Sequence, residues 1–177
     1  MSNPNIGKQQ QIREIMRCGS DPQYFINKYV KIQHPMRGTV PFVTYKFQDS
    51  VISALHKNRF NVIVKSRQLG ISTVTAAFAL WLALFHRDKN ILCIATKLKT
   101  AQNFIQKVKV AFNGLPAWLV LKPKTGDSKQ HIAWANGSQI KAIPKSEDAG
   151  RSEAVSFLIV DEAAHIEGFD ELWAALL

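Results

Sequence analysis

Two stretches of this chain carry side chains able to act together on a phosphate group. The first is residues 65–73, which read Lys65, Ser66, Arg67, Gln68, Leu69, Gly70, Ile71, Ser72 and Thr73. It places a glycine and a hydroxyl at the start of an apolar run with helical length, where backbone N–H groups and the helix dipole favour anions. The second is Asp161 with Glu162, two carboxylates that directly follow the apolar residues 157–160. A carboxylate at the C-terminal end of a buried strand can hold Mg²⁺, and a neighbouring one can polarise an attacking water.

A standard phosphate loop has a glycine first and a lysine just after its second glycine, followed by a Ser or Thr. Here Lys65 stands at the first glycine position and Ile71 at the lysine position. The physical requirements are still met. Gly70 permits the tight turn, and Ser72 offers a hydroxyl to a metal. Lys65, at a strand end, can swing its ammonium across the loop, and Arg67 adds a guanidinium in the middle. Taken alone, residues 65–73 also read as a strand, a turn and a helix with solvated cations. Asp161 and Glu162 alone also read as a solvated turn. Their pairing, with sheet elements between, points to a site for ATP and Mg²⁺, in which Ser72 and Asp161 face the metal and Glu162 the water.

These residues need elements to hold them. Spacing predicts helices over residues 8–17, from Pro22 onward, and over 48–57, with an irregular stretch at 31–47 broken by Pro35, Gly38 and Pro41. Buried strands are predicted at 61–65, 90–95 and 155–160, and helices at 71–85, 100–112 and 168–177. Between them, residues 131–143 alternate around Asn136 and Gly137, a strong β-hairpin signal. Strand–helix alternation with apolar strands implies an α/β fold, a mostly parallel sheet flanked by helices, carrying an inserted β-hairpin.

Length and composition agree with one such domain. The chain has 177 residues, 46% of them hydrophobic, with a net charge of +10. Residues 1–60 hold 9 basic and 3 acidic side chains, 61–120 hold 8 and 1, and 121–177 hold 6 and 9. A basic body with an acidic end suits contact with a polyanion, although ordinary solvated lysines account for it equally well. Cys18 and Cys93 lie far apart and read as buried free thiols of a reducing compartment. No stretch is long and apolar enough to span a bilayer, and the start has no signal region, so the chain is expected in the cytoplasm and away from membranes.

Set together, several segments resemble one family, the large terminase subunits of tailed bacteriophages, ATPases that drive DNA into a procapsid. The resemblance rests on Tyr45, Phe47 and Gln48, on residues 65–73 and 95–101, on Asn136 to Ser138, on Gly150 to Ser152, and on 158–164. They come in family order, and the loop-start Lys65 is itself similar to a deviant phosphate loop of many terminases. The resemblance implies a P-loop NTPase core of the ASCE type at residues 59–177, after an N-terminal helical segment, 1–58, with an adenine-contacting motif. It implies that Gln48 pairs with the adenine edge while Tyr45 or Phe47 stacks on it; otherwise the rings are core aromatics and Gln48 a helix start. It implies an arginine finger at Arg67 within the subunit, or at Arg151 toward a neighbour; Arg151 otherwise pairs with Glu147, Asp148 or Glu153. Thr96, Lys97 and Lys99 either contact DNA or phosphate, or form a solvated loop.

The resemblance further implies double-stranded DNA, a portal protein and a small terminase subunit as partners, a homo-oligomeric ring, and the cytoplasm of an infected bacterium. In that family a coupling motif and a nuclease domain follow the acid pair, so the core is expected to be incomplete at its C-terminus and nuclease activity to lie outside this segment. Two other readings remain. One is an ATP-dependent helicase of another P-loop class, since residues 161–165 run Asp, Glu, Ala, Ala, His. The other is a nucleotide-binding fragment inactive on its own.

Overall fold

The computed structural model describes residues 7–122, 124–145 and 154–176. The chain opens with two helices, α1 (Lys8–Ser20) and α2 (Pro22–Tyr29). Asp21 separates them because its carboxylate accepts from the Tyr24 N–H at 2.9 Å while Pro22 occupies the first helical turn. A short antiparallel hairpin follows, β1 (Lys31–His34) and β2 (Gly38–Pro41), and then α3 (Lys46–Lys57). Helix α4 (Ile71–Phe85) is apolar on every side, as a helix surrounded by protein must be, and only 4 of its 15 residues escape burial. After it come β3 (Asn90–Ala95), α5 (Leu98–Asn113), β4 (Lys124–Asp127), β5 (His131–Trp134), β6 (Gln139–Pro144), β7 (Phe157–Val160) and α6 (Phe169–Leu176).

Five strands form one sheet in the order β4-β5-β6-β3-β7. Strand β3, between β6 and β7, runs parallel to both, with Cys93 opposite Ala142 on one side and Ile159 on the other. The β4–β5 and β5–β6 pairs are antiparallel. Strand pleating sends alternate residues to opposite faces. Ile91, Cys93, Ile140 and Ile159 face a core shared with α4 and α5 and, through Cys18, Phe25 and Ile52, with the three N-terminal helices. Leu92, Ile94, Leu158 and Val160 face the other way, where Phe169 and Leu172 of α6 cover them. Both cysteines are buried and free, and burial pushes the Cys18 thiol up to about 12. Among the described residues no helix is long and apolar enough to cross a membrane.

The turn between β5 and β6 closes the far end of α4. The last carbonyls of a helix have no partner within it. The Asn136 side-chain amide donates to the Ala83 and His86 carbonyls at 2.8 and 3.0 Å, and the Ser138 hydroxyl donates to His86 at 2.9 Å. Gly137, at φ +82°, completes the turn; a Cβ there would lie 2.1 Å from Asp88 Oδ1. This cap explains why asparagine, glycine and serine stand together at 136–138.

Four expectations need correction. The sheet is mixed rather than mostly parallel, because β4 and the hairpin at 131–144 join it as strands. Residues 31–47, expected to be irregular, contain the β1–β2 hairpin; Pro35 and Gly38 border its turn instead of breaking regular structure. Strand β4 was not anticipated. Residues 61–65, read as a buried strand, carry no ladder among the described residues, and Val62 and Val64 are 94% and 97% exposed. An apolar run records a preference for burial but names no partner, and here no strand edge engages it.

Candidate phosphate-binding site

The three parallel strands β6, β3 and β7 all end on one edge of the sheet, with Pro144, Ala95 and Val160 nearly level. Parallel sheets bind ligands at this edge because loops, helix N-termini and the last side chains of several strands converge there. Asp161 is the first residue beyond β7, and its N–H still bonds to the Ile94 carbonyl at 2.9 Å, so the sheet fixes its position. Its side chain meets the loop at 65–73 in two places. The Ser72 hydroxyl donates to Asp161 Oδ2 at 2.7 Å, and Lys65 Nζ stands 3.8 Å from Oδ1. Residues 89 positions apart in sequence are thereby joined by a charge-assisted hydrogen bond, a class worth about 1.5–3 kcal/mol when sheltered.

The loop is built for this meeting. Gln68 and Gly70 both take left-handed backbone, at φ +63° and +71°, on either side of Leu69. Gly70 is the N-cap of α4, and no side chain caps that helix. The N–H groups of Gly70, Ile71 and Ser72 have no partner among the described residues, which leaves them open to water or an anion. Ile71 is 7% exposed. Its side chain enters the apolar interior, so the usual lysine position cannot present an ammonium here, and Lys65 is the cation that reaches the acid. Ser66 and Arg67 are exposed on the loop, and Thr73 is half-buried in the first turn of α4.

Glu162 follows Asp161 and is exposed, in left-handed backbone at φ +59° and ψ +42°. A non-glycine residue held there stores strain of about 1–3 kcal/mol, and such strain collects at functional sites. Of the three non-glycine residues with positive φ among those described, Gln68 and Glu162 belong to this site.

Tyr45 and Phe47 flank the start of α3. Their rings stack 5.7 Å apart at 6°, and they are 68% and 43% exposed, so they are surface residues and not core aromatics. Gln48 is the opposite case, 3% exposed with its amide already engaged. Its Oε1 accepts from the Tyr45 N–H at 3.1 Å, and its Nε2 donates to the Leu69 carbonyl at 2.9 Å. Thr96, Lys97 and Lys99 lie just beyond β3 on the ligand edge, with Lys97 as the N-cap of α5 and both lysines exposed. Arg151, with Glu147, Asp148 and Glu153, lies outside the described residues.

Two features escaped the sequence. The Gln48–Leu69 bond spans 21 positions and has no local pattern. Lys145 follows β6 on the same edge, with its N–H bonded to the Ala95 carbonyl at 2.9 Å and its ammonium on the Glu167 carbonyl; only the parallel pairing of β6 with β3 brings it there.

The oxygen donors present suit a hard divalent cation, which accepts one or two protein oxygens and takes the rest from phosphate and water. The Ser72 hydroxyl and the Asp161 carboxylate are such a pair.

Residues 62–176 match the model of a family described as the terminase large subunit, T4likevirus-type, N-terminal. The fold is similar to the crystal structure of the HK97 bacteriophage large terminase, with a TM-score of 0.66 at 17% sequence identity. The likeness covers 89% of this chain and 34% of that one, so this chain spans about a third of the length of that protein. At this identity the likeness speaks for the fold.

Proposed function

Starting from the premise that this chain belongs to the terminase large subunit family, in its T4-type N-terminal part, we propose that it is the ATP-binding and ATP-hydrolysing motor domain of a phage DNA-packaging enzyme. One observation carries the reading: Lys65 and Ser72 converge on Asp161 from the two ends of the loop, at 3.8 and 2.7 Å.

The loop N–H groups of Gly70, Ile71 and Ser72 hold the β- and γ-phosphates of ATP, and the Lys65 ammonium neutralises them. Ser72 and Asp161 would hold Mg²⁺, which would offset charge on the phosphate oxygens. With Asp161 turned to the cation, Lys65 would lose its present partner and be free to face the nucleotide. Glu162 orients and polarises the attacking water. Arg67 reaches charge on the γ-phosphate within the subunit, and Arg151 does so from a neighbour in a homo-oligomeric ring; such a finger is worth about 10³–10⁵ in rate. The outer face of either Tyr45 or Phe47 stacks on adenine, while Gln48 lies behind them with its buried amide engaged by Tyr45 and Leu69. Double-stranded DNA is the track, a portal protein and a small subunit are partners, and the host cytoplasm is the place.

The test is ATP turnover by the purified chain with and without DNA, beside Glu162→Gln and Lys65→Ala. General acid–base groups contribute about 10²–10⁴-fold and a charge-stabilising donor about 10²–10³-fold, so each substitution is expected to lower turnover by at least about 10²-fold. Unchanged turnover in either variant sinks the mechanism. Nucleotide binding with no turnover by the parent chain favours the inactive-fragment reading.

A further inference from the structure

We infer that Gln48 is a positioning residue for the phosphate loop, holding the peptide between Leu69 and Gly70 in the orientation that anion binding requires. The inference rests on the phosphate-loop reading above and goes beyond it, because it gives Gln48 a task that does not involve the base.

The side chain is a two-ended strut. One end, Oε1, takes the Tyr45 N–H and so fixes the first turn of α3. The other end, Nε2, takes the Leu69 carbonyl. A peptide group is planar and trans, so its carbonyl and N–H point in opposite directions. With the Leu69 carbonyl turned toward Gln48, the Gly70 N–H is turned away from it, toward the open side of the loop. The residues on either side of Leu69 are both left-handed, and the packing is close: a Cβ on Gly70 would lie 2.9 Å from Gln48 Nε2. Glycine at 70 therefore serves the strut as well as the turn. Without the strut nothing among the described side chains holds the Leu69 carbonyl, and a flip of this peptide would aim a carbonyl oxygen where an anion needs an N–H. The amide is 3% exposed and bonded at both ends, which is the condition of a brace.

The strut also joins two ligand-facing parts. Tyr45 and Phe47 sit on the same turn of α3 that Gln48 caps, so a ring stacked on that platform and a phosphate in the loop share one rigid connector.

Gln48→Glu separates the two ends. It keeps Oε1 as acceptor for the Tyr45 N–H and places an acid at the third helical position, which favours helix initiation. Toward Leu69 it replaces an N–H donor with an oxygen that repels the carbonyl. The probes are ATP and inorganic tripolyphosphate, each with Mg²⁺, titrated calorimetrically into the full chain. Gln48→Glu and Gln48→Ala are expected to weaken both ligands by the same factor, about tenfold for one lost well-placed anion contact. Tyr45→Ala is expected to weaken ATP and leave tripolyphosphate unchanged. If the Gln48 variants weaken ATP and leave tripolyphosphate at its parent affinity, Gln48 reads the base and the inference is overturned. A parent chain that binds ATP but no tripolyphosphate overturns it too. Tripolyphosphate binding that survives Lys65→Ala undiminished removes the phosphate-loop reading itself, a separate failure.

Discussion

Asp161 and Lys65 meet across the site, yet the chain delivers them by different means. Asp161 leaves β7, whose residues 157–160 lie in register with β3, whose Ile159 is buried in the main core, and whose ladder continues through the Asp161 N–H. Lys65 leaves residues 61–65, which have no ladder among the described residues and show Val62 and Val64 to solvent. The acid is placed by the sheet. The lysine is placed by α4 after the loop, by Gln48 on Leu69, and by the acid it pairs with. A half anchored by the sheet thus faces a half held mainly by side chains, and a loop proposed to rearrange around ATP belongs on the second.

Three stability measurements can break this contrast, and the largest effect is expected on the sheet side. Ile159→Ala removes a buried side chain packed on β3 and α4 and should lower unfolding free energy by about 2–5 kcal/mol in urea titrations. A cost under about 1 kcal/mol would mean that β7 is no better anchored than the loop. Ser72→Ala cuts the tie between the halves and leaves Asp161 able to reach water, so a cost near 1 kcal/mol is expected. Faster amide exchange should then appear in residues 65–70 and not at 157–160. Val64→Ala, at a solvent-facing position, should change stability by less than about 0.5 kcal/mol. A larger loss would show that residues 61–65 are packed in solution.

Acidification sharpens the contrast from outside the site. Burial, with Lys89 and His56 nearby, holds His86 below its ordinary value of 6.5. Burial pushes Glu14 up, but hydrogen bonds from Tyr29, Lys28 and Tyr24 outweigh it and leave its pKa below 4.5. Both groups bind protons more readily when unfolded, so their stabilisation is present at higher pH and is lost on acidification. Stability should decline first below about pH 6.5 through His86 and again below about pH 4.5 through Glu14. His86→Gln should remove the first decline; if it persists, another group is responsible.

The regions legible in the sequence are those whose partners are near or whose pattern is strong. Residues 71–85 form the expected helix end to end, 90–95 the expected strand, and Asn136 with Gly137 the expected turn. Each answers to local chemistry: continuous apolar character, β-branched residues, or a dipeptide suited to positive φ. Asp161 stands out as a candidate because a buried strand ending in acids is a local pattern as well, and that strand forms as β7. What escaped depends on non-local pairing. Periodicity describes 61–65 and 155–160 alike, although among the described residues only the second, as β7 over 157–160, pairs with a neighbour. Gln48 read as a candidate for the base, and its bond to Leu69 could not be foreseen because the two carry no common signal. The prolines and glycines of 31–47 misled in another way, since they punctuate a hairpin as readily as a coil.

The cap on α4 has a mechanical consequence. That helix begins at the phosphate loop and, at 1.5 Å per residue, ends about 22 Å away, where Asn136 and Ser138 grip its last carbonyls. From that grip β6 runs back across the sheet to Lys145, on the edge where Asp161 stands. Helix, turn and strand form a closed circuit with both ends at the candidate site. An axial displacement of α4 would therefore meet resistance at its far end, where the hairpin grips its last carbonyls, and not only at the loop.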